Sequence, residues 1–391
     1  MGNTFSIELM GKAMPWEQVT VQQSRKEFVL LALQTQANIS QLCERFGISR
    51  KTGYKWLARF AQNPDDALQD LSRRPRGSPR KSMDCVEQSV VRLRQLHAAW
   101  GGRKIAHVLA RDHQLHLAPS TVTNILHRHH LIEPAASEAA TPWQRFEHEE
   151  PNSMWQMDFK GHFGVADQRC HPLTVIDDHS RYNLALQACR NEQRQTVQAV
   201  LQQVFERYGL PRRINTDNGS PWGTAGQGPL SGLGVWLIRL GVHLSHSRAM
   251  HPQTNGKDER FHRTLKAEVL HQYHFPNFDS VQPQFDRWRQ VYNCERPHEA
   301  LNMQTPMQRY RASPISMPRT LPAIEYGPHD LVRKVQQGGL IHLHGRELRI
   351  SKALIGQPVA LRADSNVDGR YDVYFCHQYI DSISLNQIDD L

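Results

Sequence analysis

The sequence predicts a multidomain chain of α, then α/β, then β character, and three observations predict it. Apolar residues recur at helical spacing through the first third. From Asn152 the pattern becomes short apolar runs alternating with helical stretches. Beyond residue 328, short alternating runs are separated by Gly, Asp and Asn, the pattern of a small β-barrel or sandwich. A length of 391 residues is compatible with several such domains.

Hydrophobic content of 39% and charged content of 22% are ordinary for a globular protein with apolar cores. The net charge of +9 is unevenly spread. Residues 1–135 hold 19 Lys/Arg against 11 Asp/Glu, nearly the whole excess. A basic front end suits a polyanion such as DNA, or is simply a solvated surface. The six cysteines form no Cys-x-x-Cys pair and no disulfide framework, so the expected setting is reducing and intracellular. No apolar run approaches the ~20 residues of a membrane span, and nothing near the start reads as a signal peptide. The opening Met1–Ser6 fits a myristoylation pattern, but that pattern is short. Residues 1–13 read as an upstream extension, with Met14-Pro15-Trp16 opening the working sequence.

The first expected domain, 14–61, is a helix-turn-helix unit. Phe28, Leu31 and Ala32 make one stripe; Leu42 and Phe46, then Trp56 and Phe60, repeat four-residue spacing around a Gly47 turn. Ser40 and Ser49 are the expected caps. Arg50, Lys51, Thr52 and Lys55 would then begin a recognition helix, where base edges and phosphates are met. The plainer alternative is a helical hairpin with a charged face. Residues 62–83 read as a basic linker carrying Arg73, Arg74 and Arg76, extended along a phosphate backbone or serving as a hinge. A second helical, helix-turn-helix-like unit is expected over 84–133, with a stripe of Val90, Leu93 and Leu96. A helix starting near Pro119 would present Ser120, Thr121 and Asn124 to DNA. The histidines of this unit lack the paired cysteines of a zinc site and read as surface residues. Residues 134–150 form a second linker.

Over 151–313 the expected elements are strands at 153–163, 170–177, 182–188, 211–216 and 243–247. Helices are expected at 197–208, 235–240 and 255–272. The glycines of 219–234 are not a dinucleotide fingerprint, since no strand leads into them as required; a mobile loop beside a site suits them better. The last domain, 325–391, is the expected β-barrel.

Three acids carry the chemistry. Asp158 ends one strand in Trp-Gln-Met-Asp-Phe, Asp217 ends another in Thr-Asp-Asn-Gly-Ser, and Glu259 lies in the first turns of the long helix. Phosphodiester cleavage needs an activated oxygen nucleophile, an in-line leaving group and charge neutralisation, which two divalent ions supply together. Carboxylates without Cys or His ligands favour Mg²⁺, or Mn²⁺, over zinc. Asp158 is the expected bridging ligand, with Asp217 and Glu259 each holding one ion. Glu259, Arg263 and Lys266 fall at i, i+4 and i+7, so one helix face carries the carboxylate and two cations for phosphates. Asp177-Asp178 reads as a structural turn.

These phrases resemble those of bacterial insertion-sequence transposases of the DDE class, whose core type is shared with retroviral integrases. The resemblance also rests on Trp-Gly-Gly-Arg-Lys-Ile, Val-Ile-Asp-Asp-His-Ser-Arg, Asn-Gly-Lys-Asp-Glu-Arg, the Tyr292-to-Leu301 segment and Thr305-Pro306, and covers nearly everything after Met14. It implies a ribonuclease-H-like core, a divalent metal, and a catalytic triad of Asp158, Asp217 and Glu259. It further implies 3′-end cleavage of element DNA, strand transfer into target DNA, and a homo-oligomer on paired ends in a bacterial cytoplasm, at the nucleoid. Helix-turn-helix units replace the His/Cys zinc domain of the retroviral relatives, and the interval before Glu259 is longer and Gly-rich. The alternatives are a DNA-binding regulator or decayed copy without catalysis, and a nuclease that only hydrolyses.

Overall fold

The computed structural model describes residues 20–64, 68–70, 81–132, 147–223, 230–246 and 256–385. They fall into two compact units, divided after Lys81.

The first unit contains helices α1 (Val21–Ala32), α2 (Ile39–Arg45) and α3 (Arg50–Gln62). Thr20 and Gln23 close a capping box at the start of α1. Ser49 caps α3 as expected, its hydroxyl accepting from the Thr52 N–H. The cap of α2 is Asn38 rather than Ser40: its Oδ1 accepts from the Ser40 and Gln41 amides, and Ser40 is already helical. The Asn carboxamide is as good a cap as a serine hydroxyl, so the helix begins two residues earlier. Gly47, at φ +62°, makes the turn between α2 and α3. Phe28, Val29, Cys43 and Trp56 form the core, with Leu42, Phe46 and Phe60 packed against it. A Cβ on Gly53 would lie 2.6 Å from the Cys43 sulfur, so α3 can seat here only without a side chain.

The second unit begins with α4 (Asp84–Leu96), α5 (Gly102–His113) and α6 (Pro119–Arg128). Their core is Val90, Trp100, Ile105, Leu109, Val122, Ile125 and Leu126. Leu96 departs from the expected stripe, ending α4 at 66% exposure.

A mixed sheet follows, matching the expected α/β core. Its strands are β1 (Trp155–Phe159), β2 (Phe163–Val165), β3 (Gln168–Asp177), β4 (Asn183–Cys189), β5 (Arg213–Thr216) and β6 (His243–His246). Helices α7 (Arg194–Tyr208), α8 (Gly232–Arg239), α9 (Gly256–Leu265), α10 (Val281–Cys294) and the short α11 (Pro306–Arg309) accompany it. The order is β4-β3-β1-β5-β6, with β2 continuing the hairpin of β3; β4, β3 and β1 are antiparallel, and β1, β5 and β6 run parallel. The run expected as one strand over 153–163 is broken at Gly161, at φ +81°. Beyond Leu265 the long helix widens into a π turn, Lys266–Leu270.

Side chains cover both edges of this sheet. On β4, Gln282 accepts from the Ala188 N–H and donates to the Leu186 carbonyl. Farther along the same edge, Arg289 donates to the carbonyls of Asn183 and Leu184, and Asn293 bonds both backbone groups of Asn183. On β6, the amide of Gln378 bonds both backbone groups of Leu244. Pairing of exposed edges with other chains is the hazard that such covering removes.

The C-terminal strands are β7 (Leu331–Lys334), β8 (Leu340–Leu343), β9 (Arg346–Arg349), β10 (Pro358–Ala363), β11 (Arg370–Phe375) and β12 (Gln378–Ser384). They form an open antiparallel sheet, β12-β11-β10-β7, and a separate β8-β9 hairpin. The expected barrel is therefore corrected: among the described residues the strands do not close. Instead of closing on itself, this sheet buries Val359, Leu361, Val373 and Phe375 in the same apolar cluster as Leu237 and Leu244 of the preceding domain. No helix among the described residues is long and apolar enough to cross a membrane.

Candidate active site

Asp158 is the fourth residue of β1, and its Oδ1 accepts from the Phe159 N–H at 2.8 Å. Asp217 follows the last residue of β5, which lies parallel to β1 with Gln156 opposite Asn215. That register brings both acids to the same end of the sheet. The Asp217 carboxylate is exposed, and its Oδ1 accepts from the Gly219 N–H at 2.9 Å. Glu259 stands exposed in the first turn of α9.

The start of α9 is tied to the sheet. The Asp258 N–H donates to Gln156 Oε1 at 3.2 Å. Gln156 Nε2 donates to Asp178 Oδ1 at 2.8 Å, and the Lys257 ammonium pairs with the same carboxylate. Asp177 is likewise engaged, accepting from Asn152 and Ser180 amides and the Ser180 hydroxyl. The Asp177-Asp178 pair thus has the turn role expected of it.

Sequence reasoning missed Asp258. It is fully buried, 0% exposed, with its carboxylate 3.0 and 3.1 Å from the Thr174 hydroxyl. That hydroxyl also lies 2.8 Å from His262 Nε2 and 3.0 Å from the Asp158 carbonyl. A donor atom from each of Asp158, Asp258 and His262 falls within 4.8 Å of the other two. The signal was present: Asp258, Phe261, His262 and Leu265 are the buried residues of α9, at i, i+3, i+4 and i+7. The adjacent Glu259 is turned about 100° away.

These acids disturb one another. Burial first, then the charge of Asp217, pushes the Asp158 carboxyl up to about 7; Glu192 and Glu259 act in the same direction. Burial and Asp158 hold Asp258 well above the usual carboxylate range. Burial, reinforced by Lys160, lowers His262 to about 3, so it is a neutral imidazole. A half-buried carboxylate raised by burial and by other acids is a place where a cation is stabilising. The donor set is oxygen-rich, which suits Mg²⁺ or Mn²⁺. It is the ligand set, not the need for a cation, that the buried Asp258 complicates.

The other expected contacts are spread over both units. Arg50, Lys51 and Lys55 are exposed on the first turns of α3, while the Thr52 hydroxyl is 2.9 Å from that of Ser49. Arg73, Arg74 and Arg76 lie outside the described residues. Ser120 and Asn124 are exposed on α6, and Thr121 is partly buried there. Arg263 is exposed on α9, and Lys266 is exposed where the π turn begins.

Residues 148–252 and 240–306 match two Integrase core domain families. Residues 330–390 match the IS481 family transposase, C-terminal domain. Residues 24–76 match a Helix-turn-helix domain and 52–126 a Homeodomain-like domain. The chain is 27% identical over 158 residues to an uncharacterized 31.7 kDa protein of insertion element IS407 from Burkholderia multivorans, covering 40% of this chain and 55% of that one. It is 26% identical, over 40% of its length and 44% of the relative's, to an uncharacterized 39.2 kDa protein of insertion element IS476 from Xanthomonas euvesicatoria. The chain thus spans about half the length of these curated relatives. Among solved structures, the HTLV-2 integrase catalytic core domain in complex with magnesium aligns at 17% identity and a TM-score of 0.30, over 41% of this chain and 96% of that one. A simian T-cell lymphotropic virus intasome chain aligns at 17% identity and a TM-score of 0.38, over 75% and 95%. Through its integrase-core segments at 148–306 and its IS481-type segment at 330–390, the chain is thus similar to insertion-element proteins and to transposases with an integrase-type core.

Proposed function

We propose that the protein is a DNA transposase that cuts the 3′ ends of its element and joins them to target DNA. The observation that carries this reading is the convergence of Asp158 and Asp217 on one end of two adjacent parallel strands, with α9, bearing Glu259, tied to the same strand through Gln156. Asp158, Asp217 and Glu259 are the catalytic acids in this reading and the ligands of two Mg²⁺ or Mn²⁺ ions. The metals, when bound, would neutralise developing phosphate charge and activate the attacking oxygen. The chain's own part is to hold the acids. Strand β1 fixes Asp158 by its register with β3, and the Gln156–Asp258 bond fixes where α9 starts. The domain plan is that of the sequence: helix-turn-helix units at 14–61 and 84–133, joined by linkers 62–83 and 134–150 to a ribonuclease-H-like core at 151–313 and a C-terminal domain at 325–391. The helix-turn-helix units would hold the terminal repeats through Arg50, Lys51, Thr52, Lys55, Ser120, Thr121 and Asn124, with Arg73, Arg74 and Arg76 along the backbone. Arg263 and Lys266 would meet phosphates near the acids. The protein would act as a homo-oligomer on paired ends, in the bacterial cytoplasm at the nucleoid.

The test is strand transfer in vitro, with the DNA flanking the gene, a supercoiled target and Mg²⁺ or Mn²⁺. Joined product should form with the native chain and fall by at least about a hundredfold in Asp217→Asn and Glu259→Gln, with DNA binding kept. Transfer that survives both substitutions would overturn the triad. Hydrolysed ends with no joined product would favour the nuclease, and binding without cleavage a regulator.

A further inference from the structure

Beside the acids lies a cluster of cations with too few counter-charges. Four elements supply it: Lys104 from α5, Arg181 from the β3–β4 turn, Arg260 from α9, and Arg296 from the segment after α10, next to the His298 imidazole, which burial and these neighbours hold well below its usual range and so uncharged. Their proximity shows in their mutual effects. Arg296 and Arg260 both disfavour the charge on Lys104. Arg181 and Arg296 do the same to Arg260, and Arg296, Lys104 and Arg181 to His298.

The nearby acids are already engaged. Glu268 accepts from Arg296 Nε at 3.2 Å and from Trp288 Nε1 at 2.7 Å. Glu299 pairs with Arg103 at 3.0 Å. Among the described residues, the side chains of Lys104, Arg181 and Arg260 have no ion-pair partner. Two buried polar atoms in the cluster also lack a hydrogen-bond partner: Arg181 Nε and Nε2 of His298, a residue only 7% exposed. Burial, followed by Arg296, brings the Lys104 ammonium down to about 7; Glu268 and Glu299 counter it only in part. A cluster built for structure alone would carry matching carboxylates, because like charges brought together and partly desolvated repel one another.

We propose that Lys104, Arg181, Arg260, Arg296 and His298 form a binding station for a backbone phosphate of the DNA held at the acids. This rests on the transposase reading above and extends it. Arg260 immediately follows Glu259 on α9 and is exposed, so a strand crossing the carboxylate passes this guanidinium. The phosphate supplies the missing negative charge. Because Lys104 comes from the helical part and Arg260 from the core, one phosphate would bridge α5 to α9. The station is thus a positioning device for DNA, separate from base reading.

The experiment measures duplex-DNA affinity of the full chain across a salt series. Each phosphate contact contributes about 0.9 to the slope of log affinity against log salt. Arg181→Gln and Arg260→Gln should each lower that slope by about one and weaken binding several-fold, on any sequence. Lys104→Arg should bind like the native chain and Lys104→Met should not. Urea melts without DNA supply the second measurement. Removing a cation from an uncompensated cluster should leave stability unchanged or raised, whereas loss of a structural contact would lower it. Native slopes in both Arg variants would overturn the proposal, as would a stability loss in all of them with affinity intact. If inorganic phosphate protects the native chain while both slopes stay native, the station takes free phosphate and its assignment to DNA fails. A native chain that binds no DNA would instead defeat the transposase reading itself.

Discussion

At Asp158 and Asp258 the fold resists negative charge, through burial and through neighbouring acids. An Asp whose carboxyl is raised from 3.8 to about 7 keeps its proton in the folded state after the unfolded chain has released it. Its contribution is therefore favourable below about pH 4 and is lost as the pH rises towards 7. Asp158→Asn should accordingly stabilise the metal-free protein at pH 8 by roughly 1–4 kcal/mol, read from urea unfolding, while abolishing transfer. Mg²⁺ should raise the melting temperature of the native chain more at pH 8 than at pH 6, and should not do so in Asp158→Asn; an equal rise in both would break the link. His262 works in the opposite sense. Its folded value near 3 lies below the usual 6.5, so its stability contribution falls as the pH drops from about 6.5 towards 3. The Thr174 hydroxyl has one proton to donate but three groups within reach, so a proton on Asp258 completes the set. Thr174→Val keeps the shape and strands these groups, at a cost of about 1–3 kcal/mol in urea unfolding. No change in the midpoint would show that the hydroxyl holds nothing.

Among the elements, β4 and α9 show two ways of using side chains as backbone. The free edge of β4 is covered by α10 through Gln282, Arg289 and Asn293. Gln282→Ala would leave the Ala188 N–H and the Leu186 carbonyl without their partner, costing about 1–2 kcal/mol. Hydrogen exchange at the Ala188 amide would rise with it; native protection would show that the edge is closed by something else. In α9 the buried stripe of Asp258, Phe261, His262 and Leu265 was legible as periodicity. What the spacing could not say was which partners its two polar members find inside the sheet: the Thr174 hydroxyl for both side chains, and Gln156 for the Asp258 N–H. The α2 cap shows the same limit: Asn38 and Ser40 both suit the role, and only the φ/ψ of Asn38 selects between them. Strands β7 and β12 were not foreseen, because Leu331–Lys334 is mostly exposed and Gln378–Ser384 alternates without a fully buried residue.

At the scale of the whole molecule, the second unit is held together by shared apolar core and by polar bridges across its parts. Gln378 of β12 caps Leu244 on the β6 edge, and the His377 and His243 rings meet at 4.3 Å. Gln378→Ala should loosen this junction, seen as faster exchange at the Leu244 amide and a lower melting temperature by a few degrees. Unchanged exchange would show that the apolar contact suffices. By itself the sequence determined the order α, α/β, β, the helix-turn-helix pattern, the strand and helix that carry each expected acid, and the turn role of Asp177-Asp178. These follow from local periodicity, caps and turn residues, which act within a few residues along the chain. Only the tertiary structure decided that the C-terminal strands stay open against the core, that Asp258 lies buried beside Asp158, and that cations from four elements meet. Each depends on residues far apart in sequence, brought together because burying their apolar neighbours is favourable, and no local pattern records which distant partner a buried polar group will find.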